Sequence, residues 1–486
     1  MADLIVIIVY FLVILAVGLF ARRMIRTEQD FVVAGRRLGP LLYGGTLCAV
    51  VLGGASTIGG VGLGYVYGLS GMWLVFAIGC GVMVLSICFA GTIRRLRVYT
   101  VGEMLELRYG AGARTLSGVI MALYTLLICV VSTIACGALL SASFGIGTVP
   151  AMILGGAVVL AYATAGGMWS VTLTDIVQFV ITTVGIFLVV LPAAIMKAGG
   201  VTAMKAALPP SAFSLTAVGA DAILAYFVTF SLGLLIGQDI WQRVGTARSA
   251  RVARVAGAAS ALYCMGYAAA GAAIGMAGKV ILPHVVSRDA VFSAVVHAVL
   301  PQGASGLVIA AALAAIMSTS SGALIASATV LREDVWPGAK AGVGGGEADM
   351  GTMRLHLLGL GGAAILCAAL MRDVLAALTI AYAVLVGGLA VAILGGIVWR
   401  RANIQGAVVS IVVGSLTTLG TMAYLEDIYA SLPILLGLGS STAAFVCASL
   451  LFPACHPSIG ARWHARLKGA EPNAGILQSS SGAQND

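Results

Sequence analysis

Ala49 to Gly64 reads AVVLGGASTIGGVGLG. Most of it lies in an apolar stretch, 41–62, long enough to cross a bilayer, but Gly53, Gly54, Gly59, Gly60, Gly62 and, just beyond, Gly64 punctuate it. The first two fall near mid-membrane depth. A helix broken there bares backbone polar groups, which is tolerated only where the break is buried in protein or lines a wet cavity. A second apolar stretch, 219–238, carries Gly233 and Gly237. Interrupted spans at matching places in two repeats point to a carrier's binding region. If spans two to six form one repeat and seven to eleven the other, each interrupted span opens its unit. Five spans, an odd number, invert the second unit, so the breaks meet near the midplane. Close packing is the competing reading, because Gly60, Gly64 and Gly68 also form a small-residue row that lets helices approach. The two readings are compatible.

Composition fixes the class. Sixty per cent of the 486 residues are apolar, 9% are charged, and the mean hydropathy is +1.07. These values exclude an ordinary soluble domain. Thirteen stretches are long and apolar enough to span a bilayer: 2–21, 41–62, 71–93, 114–140, 148–166, 171–197, 219–238, 252–282, 303–331, 354–371, 373–399, 405–424 and 431–453. The expected fold is an all-α membrane protein of about thirteen transmembrane helices. The first stretch is read as a retained span, since no small-residue cleavage site and soluble domain follow it. With the N-terminus outside, inside segments hold 22 of the 27 Lys and Arg, and only Lys197, Lys205, Lys279, Arg288 and Arg372 fall outside. That asymmetry predicts an outer N-terminus and a cytoplasmic C-terminus. The formal charge of +9 is thus a topology signal and no nucleic-acid footprint.

Other chemistries are poorly served. The nine cysteines lie within or at the ends of apolar spans without paired spacing, so they read as packing residues. No histidine stands at metal-ligand spacing from a Cys or carboxylate. An enzyme would need a nucleophile, base or metal ligands converging at one depth, and Asp175 alone does not supply them. A channel would be expected to show pore-lining filters or charged rings.

Ala315-Ile-Met-Ser-Thr319 places two adjacent hydroxyls in the middle of the span 303–331. Ala315 lies three and four residues before them, so its carbonyl shares their helix face. A carbonyl and two hydroxyl oxygens suit a small hard cation. The alternative is that Ser318 and Thr319 bond back to carbonyls one turn earlier.

Five segments together resemble the sodium:solute symporter family, over about residues 5 to 455. EQDFVVAGRRLGP (28–40) resembles the family's loop after its first span. AVVLGGASTIGGVGLG (49–64) resembles the broken helix that opens the first repeat. GGMWSVTLTDIVQ (166–178) is similar to the start of the fifth core helix, GQDIWQR (237–243) to the inner end of the sixth, and AAIMSTSS (314–321) to the cation-binding helix, followed by REDVW (332–336). The resemblance implies a five-plus-five inverted repeat with a discontinuous first helix in each unit. It implies a secondary active transporter, not an enzyme, that couples Na+ to a small organic solute by alternating access. Carried over, the Na+ ligands are the carbonyls of Ala49, Leu52 and Ala315 with the hydroxyls of Ser318 and Thr319. Unwinding at Gly53 and Gly54 would free the carbonyls at 49 and 52, in keeping with the cation reading of 315–319.

Asp175 with Ser321 marks a second cation or proton site by the same resemblance, although Gly322 stands where some members have a second serine. The competing reading puts Asp175 in a helix's first turn, steadied by the positive dipole end. Expected solute contacts are Gly53, Ser56, Thr57, Ser231, Gly233 and Gln238, where free N–H groups at half-helix ends suit a carboxylate. Trp73, Phe76, Tyr124, Phe227 and Phe230 are candidates for the cavity wall, with ordinary core or interface packing as the favoured reading. Asp239 and Arg243 are expected at a cytoplasmic gate, with a solvated loop as the alternative. Gly237 followed by Gln238 resembles the proline-carrier side of the family, which favours an amino acid or monocarboxylate. A proton-coupled carrier of the same fold, or a symporter for a quaternary amine or vitamin-like solute, is the alternative.

The expected organisation is an N-terminal helix and cytoplasmic loop (1–40), a transport core (41–400), two further spans (401–455) and a partly disordered cytoplasmic tail (456–486). The chain is expected to work as a monomer in a plasma membrane, with a bacterial inner membrane favoured. Its partners would be the lipid bilayer, sodium and a small-molecule solute, with no nucleic acid.

Overall fold

The computed structural model describes residues 2–285, 287–336, 347–371, 373–426, 430–455 and 457–467. The expected tail beyond 467 lies outside them. The principal helices are α1 (Ala2–Ala21), α2 (Pro40–Val51), α3 (Gly60–Tyr67), α4 (Trp73–Val84), α5 (Gly112–Phe144), α6 (Thr148–Thr183), α7 (Leu232–Ile236) and α8 (Gln238–Thr246). They continue with α9 (Ala250–Ile281), α10 (Ala304–Val330), α11 (Glu347–Met371), α12 (Val374–Val398), α13 (Ile404–Leu425) and α14 (Leu432–Leu451). No strand is assigned among the described residues.

Among the described residues, ten helical segments are long and apolar enough to cross a membrane, or eleven if the bent pair Ala220–Ile236 and Gln238–Thr246 is one span. Two of the ten, Ala55–Leu96 and Thr148–Lys197, run to 42 and 50 residues. At 1.5 Å per residue these are about 63 and 75 Å, twice the ~30 Å hydrocarbon thickness. Each carries a glycine whose backbone no other residue adopts comfortably. Gly68 has φ 63°, ψ −139° and Gly167 has φ 49°, ψ −142°. The chain reverses at these points. A Cβ on Gly167 would also stand 2.6 Å from the Phe31 carbonyl oxygen.

The two anticipated breaks are present, each displaced slightly. α2 stops at Val51, Leu52 leaves helical space at φ −94°, ψ 68°, and a π-helical turn, Ala55–Gly59, leads into α3. The second break falls at Gly237 (φ −62°, ψ 130°), bending the span by 46°. Gly233, four residues earlier, stays inside α7.

Almost every residue of α10 is buried. It packs against α2, α5 and α6 and forms the axis of the bundle. The arginine-rich segments gather at one end. Arg36 donates to the carbonyls of Gly245, Arg97 and Val98 (3.3, 3.0 and 3.0 Å). Arg94 donates to Ala247, and Arg108 to Gly396 and Trp399. Four helices that start at this end are capped by polar side chains, Thr27, Thr100, Ser249 and Asn403. Such caps satisfy the first N–H groups where the chain leaves the apolar layer.

Candidate functional site

The break in α2 faces the middle of α10. Ser318 Oγ donates to the carbonyls of Ala49 (2.7 Å) and Ala315 (2.9 Å). Thr319 Oγ1 donates to Val50 (2.7 Å) and more weakly to Ala315 (3.4 Å). The back-bonding alternative and the cross-helix arrangement therefore coexist on the same two hydroxyls. Beside them is a cavity of about 10 Å³ lined by Cys48, Ala49, Leu52, Gln178, Phe179, Thr182, Tyr263, Ala315 and Ser318. It is of the size that holds one small ion or water. Four of the five expected cation ligands border it. Thr319 faces the other way, toward the centre of the protein.

There a second cavity, about 30 Å³, is lined by Val50, Val51, Gly53, Gly54, Ala55, Ser56, Ile78, Ile128, Val131, Ser132, Leu234, Asp239, Ile240, Thr319, Leu378 and Tyr382. The residues come from both broken spans and from α4, α5, α10 and α12. Gly53 is required by proximity, since a Cβ there would stand 2.6 Å from Thr319 Oγ1. Toward the end away from the arginine-rich loops lies a larger vestibule of about 310 Å³, lined among others by Tyr67, Tyr226, Phe230, Arg288 and Thr379. Phe230 on the vestibule wall packs edge-on against Tyr382 on the inner cavity wall, with ring centroids 5.1 Å apart. This pair stands between the two spaces.

Of the expected solute contacts, Gly53 and Ser56 line the central cavity. The others have different surroundings. Thr57 shares a hydrogen bond with the Tyr267 hydroxyl (2.8 Å), and Ser231 donates to the Ala77 carbonyl (2.6 Å). Gly233 lies under the Tyr382 ring. Gln238 accepts from Val101 N–H (2.8 Å) and donates to the Tyr99 carbonyl (2.9 Å), strapping the break to the arginine-rich end. Trp73 packs on Phe76 and Phe227, and Tyr124 on Tyr382.

Asp175 is not in a helix's first turn, as one reading had it. It lies two turns beyond Gly167, wholly buried. Arg243 Nη2 stands 3.0 Å from its Oδ2, and the Thr46 hydroxyl donates to the same oxygen. Both side chains of the ion pair have zero exposure, so Arg243 is no part of a solvated loop. A Cβ on Gly322 would stand 3.0 Å from Arg243 Nη2, so the absent side chain leaves room for the guanidinium. Ser321 donates to the Ser318 carbonyl (3.0 Å). Asp239 belongs to the central cavity, beside the Tyr124 hydroxyl (3.2 Å). Its position two residues past a glycine break was the sequence signal for that role. Val50, Ser132 and Tyr382 carried no signal of their own.

Comparison with known proteins agrees with this architecture. The chain is 26% identical over 433 residues to the sodium/pantothenate symporter of Escherichia coli K12, covering 83% of this chain and 87% of that one. It is 24% identical over 350 residues to sodium/proline symporter 2 of Staphylococcus saprophyticus, 68% of each chain. Among solved structures, a Na+-coupled sialic acid symporter in a substrate-bound outward-open state superposes with a TM-score of 0.83 at 20% identity, covering 93% of this chain and 98% of the other. Mhp1, a nucleobase-cation-symport-1 family transporter, superposes with a TM-score of 0.55 at 14% identity, covering 90% and 98%. The sodium:solute symporter family model matches residues 31–414. With its broken helices, its apolar bundle and this match across most of its length, the chain belongs to the sodium:solute symporter family, whose members move a solute together with Na+.

Proposed function

We propose that Na+ binds between the break in α2 and the middle of α10, held by the carbonyls of Ala49, Leu52 and Ala315 and the hydroxyls of Ser318 and Thr319. The ion-sized cavity bordered by four of these residues carries the reading. Five neutral oxygens offset the ion's charge only in part, so binding is reversible, as transport requires. An ion gripped there joins two helices that would otherwise move apart, and shifts the population toward the state that holds it better. Thr319 links ion to solute, because its hydroxyl holds the Val50 carbonyl while facing the central cavity.

The solute is a small organic molecule, an amino acid or a monocarboxylate. Relatives that carry proline and pantothenate support this class. It enters through the larger vestibule, passes the Phe230–Tyr382 pair and reaches the cavity at Gly53 and Ser56. One Na+ moving down ~100 mV gains about 2.3 kcal/mol, and a tenfold gradient adds roughly 1.4 kcal/mol. Together, about 3.7 kcal/mol sustains a roughly 500-fold excess of a neutral solute.

The arginine-rich end is cytoplasmic, the N-terminus outside, and the protein functions as a monomer. Dividing Ala55–Leu96 and Thr148–Lys197 at their glycine reversals raises the span count from eleven to thirteen, in two inverted five-helix units with flanking helices. The test is radiolabelled uptake in proteoliposomes with and without an inward Na+ gradient. Stimulation by Na+ that is lost in Ser318→Ala/Thr319→Ala is expected. Stimulation that survives the double substitution overturns the assigned cation site.

A further inference from the structure

Among the described residues the buried carboxylates are Asp30, Asp175, Asp239, Glu333 and Asp334. Four of them stand within ion-pair distance of an arginine: Asp30 of Arg37, Asp175 of Arg243, Glu333 of Arg332 and Arg114, and Asp334 of Arg114. Asp239 does not. It is 5% exposed, and the side-chain hydrogen bond it receives comes from Tyr124 at 3.2 Å. Its remaining company is the first N–H groups of α8 and, beyond ion-pair distance, the Arg243 charge already paired with Asp175, which compensate a buried carboxylate less well than a direct ion pair. Intramembrane carboxylates persist where a partner completes them.

The central cavity shows where that partner sits. Asp239 forms part of its wall together with Gly53, Ser56, Ser132, Thr319 and Tyr382. The Ser132 hydroxyl, 1% exposed, also lacks a hydrogen-bond partner in the protein. A negative charge and an unused hydroxyl therefore converge on one space. The groups that would welcome an anion are committed elsewhere. Arg243 is paired with Asp175, and the positive end of α8 is taken by Asp239 itself, at the helix's second position. This reverses the expectation that the second half-helix end receives a solute carboxylate.

We propose that the solute carries a protonated amine and that the Asp239 carboxylate is its counter-charge in the central cavity. The proposal rests on the symport reading and narrows its solute class: an amino acid fits, while a monocarboxylate without an amine would face an uncompensated like charge. Ser132 then accepts from, or donates to, the same solute. Tyr124, whose hydroxyl donates to Asp239 and whose ring packs edge-on against Tyr382 with centroids 5.5 Å apart, holds the carboxylate at the cavity wall.

The test is uptake into proteoliposomes of L-proline and L-alanine against L-lactate and pantothenate, with and without an inward Na+ gradient, for wild type, Asp239→Asn and Asp239→Glu. Thermal stabilisation of each purified protein by Na+ is measured in parallel. Uptake of an amine-bearing solute at least tenfold above L-lactate is expected. Asp239→Asn should lower it at least tenfold and Asp239→Glu should keep part of it, while the Na+ midpoint of stabilisation stays within twofold. Lactate or pantothenate uptake matching the amines, wild-type uptake by Asp239→Asn, or no uptake of either amine overturns the proposal. Amine uptake that depends on Asp239 and ignores Na+ supports it while overturning the symport reading, so the two failures are distinguishable.

Discussion

Thr319 Oγ1 donates to the carbonyl of Val50 at 2.7 Å, joining α10 to the last turn of α2 before its break. Its neighbour Ser318 reaches Ala49 in the same way. Adjacent residues on one helix point about 100° apart, so one hydroxyl borders the ion-sized cavity and the other the central one. The two sites touch at a single turn of α10.

Ser318→Ala and Thr319→Ala should therefore differ in kind. A hydrogen bond to a charged group contributes about 1.5–3 kcal/mol, so Ser318→Ala is expected to raise the Na+ concentration for half-maximal uptake by roughly 10- to 150-fold. Thr319→Ala should weaken Na+ and also raise the solute KM, because its hydroxyl is a proposed ion ligand on the Val50 and Ala315 carbonyls while its side chain lines the central cavity. Uptake titrated separately in Na+ and in solute separates the two.

Asp175 and Arg243 form a pair with no solvent access. Removing one partner strands a buried charge, at a cost of about 3–5 kcal/mol. Arg243→Met and Asp175→Asn alone should each lower the unfolding temperature of the detergent-solubilised protein sharply. The double variant should lose less than the worse single one, since no charge remains uncompensated. A double variant that loses the sum of both would show that the pair is not the unit of stabilisation.

Gly167 should not tolerate a side chain. Its backbone lies outside the region open to L-residues, and a Cβ would meet the Phe31 carbonyl oxygen at 2.6 Å. Gly167→Ala is expected to cost about 1–3 kcal/mol. Gly266→Ala, in the interior of α9 with nothing within 4 Å of the new Cβ, should leave stability unchanged or gain up to about 1 kcal/mol. Thermal melts of the two variants provide the comparison.

Asp30 gives a pH-dependent term outside the membrane-spanning segments. Burial pushes its carboxyl up, but the Thr27 hydroxyl, the Arg37 guanidinium and the Arg26 N–H outweigh it, and the net shift is downward. A depressed folded value means stability that is present above the unfolded value, ~3.9, and is lost as pH falls through the folded one. The wild type should be more stable than Asp30→Asn at neutral pH. The difference should close as pH drops below about 4. A gap that persists unchanged into acid would assign the effect to shape and not to charge.

Much of the plan is legible in the residue order. Hydropathy marks the spans because a bilayer demands ~20 apolar residues per crossing. Gly53 and Gly237 mark the breaks through close approach and not through backbone freedom, since a Cβ would stand 2.6 Å from Thr319 Oγ1 at Gly53 and 3.0 Å from the Tyr124 hydroxyl oxygen at Gly237. Ser318 and Thr319 stand out because polar pairs at that depth require a reason. Gln238 and Asp239 show where such reading stops. Both follow the same glycine, and the sequence alone assigns Gln238 to the solute and Asp239 to a gate. In the fold Gln238 straps to the backbone of Tyr99 and Val101, and Asp239 lines the cavity.

Local chemistry by itself thus determined an all-helical, membrane-embedded chain, its two interrupted spans and a hydroxyl pair suited to a cation. Packing alone decided which carbonyls those hydroxyls meet, which arginine neutralises Asp175, and which carboxylate is left facing the cavity. The physical reason is range. Hydropathy and backbone freedom act within a turn or two of each residue. The rotation and approach of one helix against another are set by side chains hundreds of positions apart, as in the 269 residues that separate Val50 from Thr319.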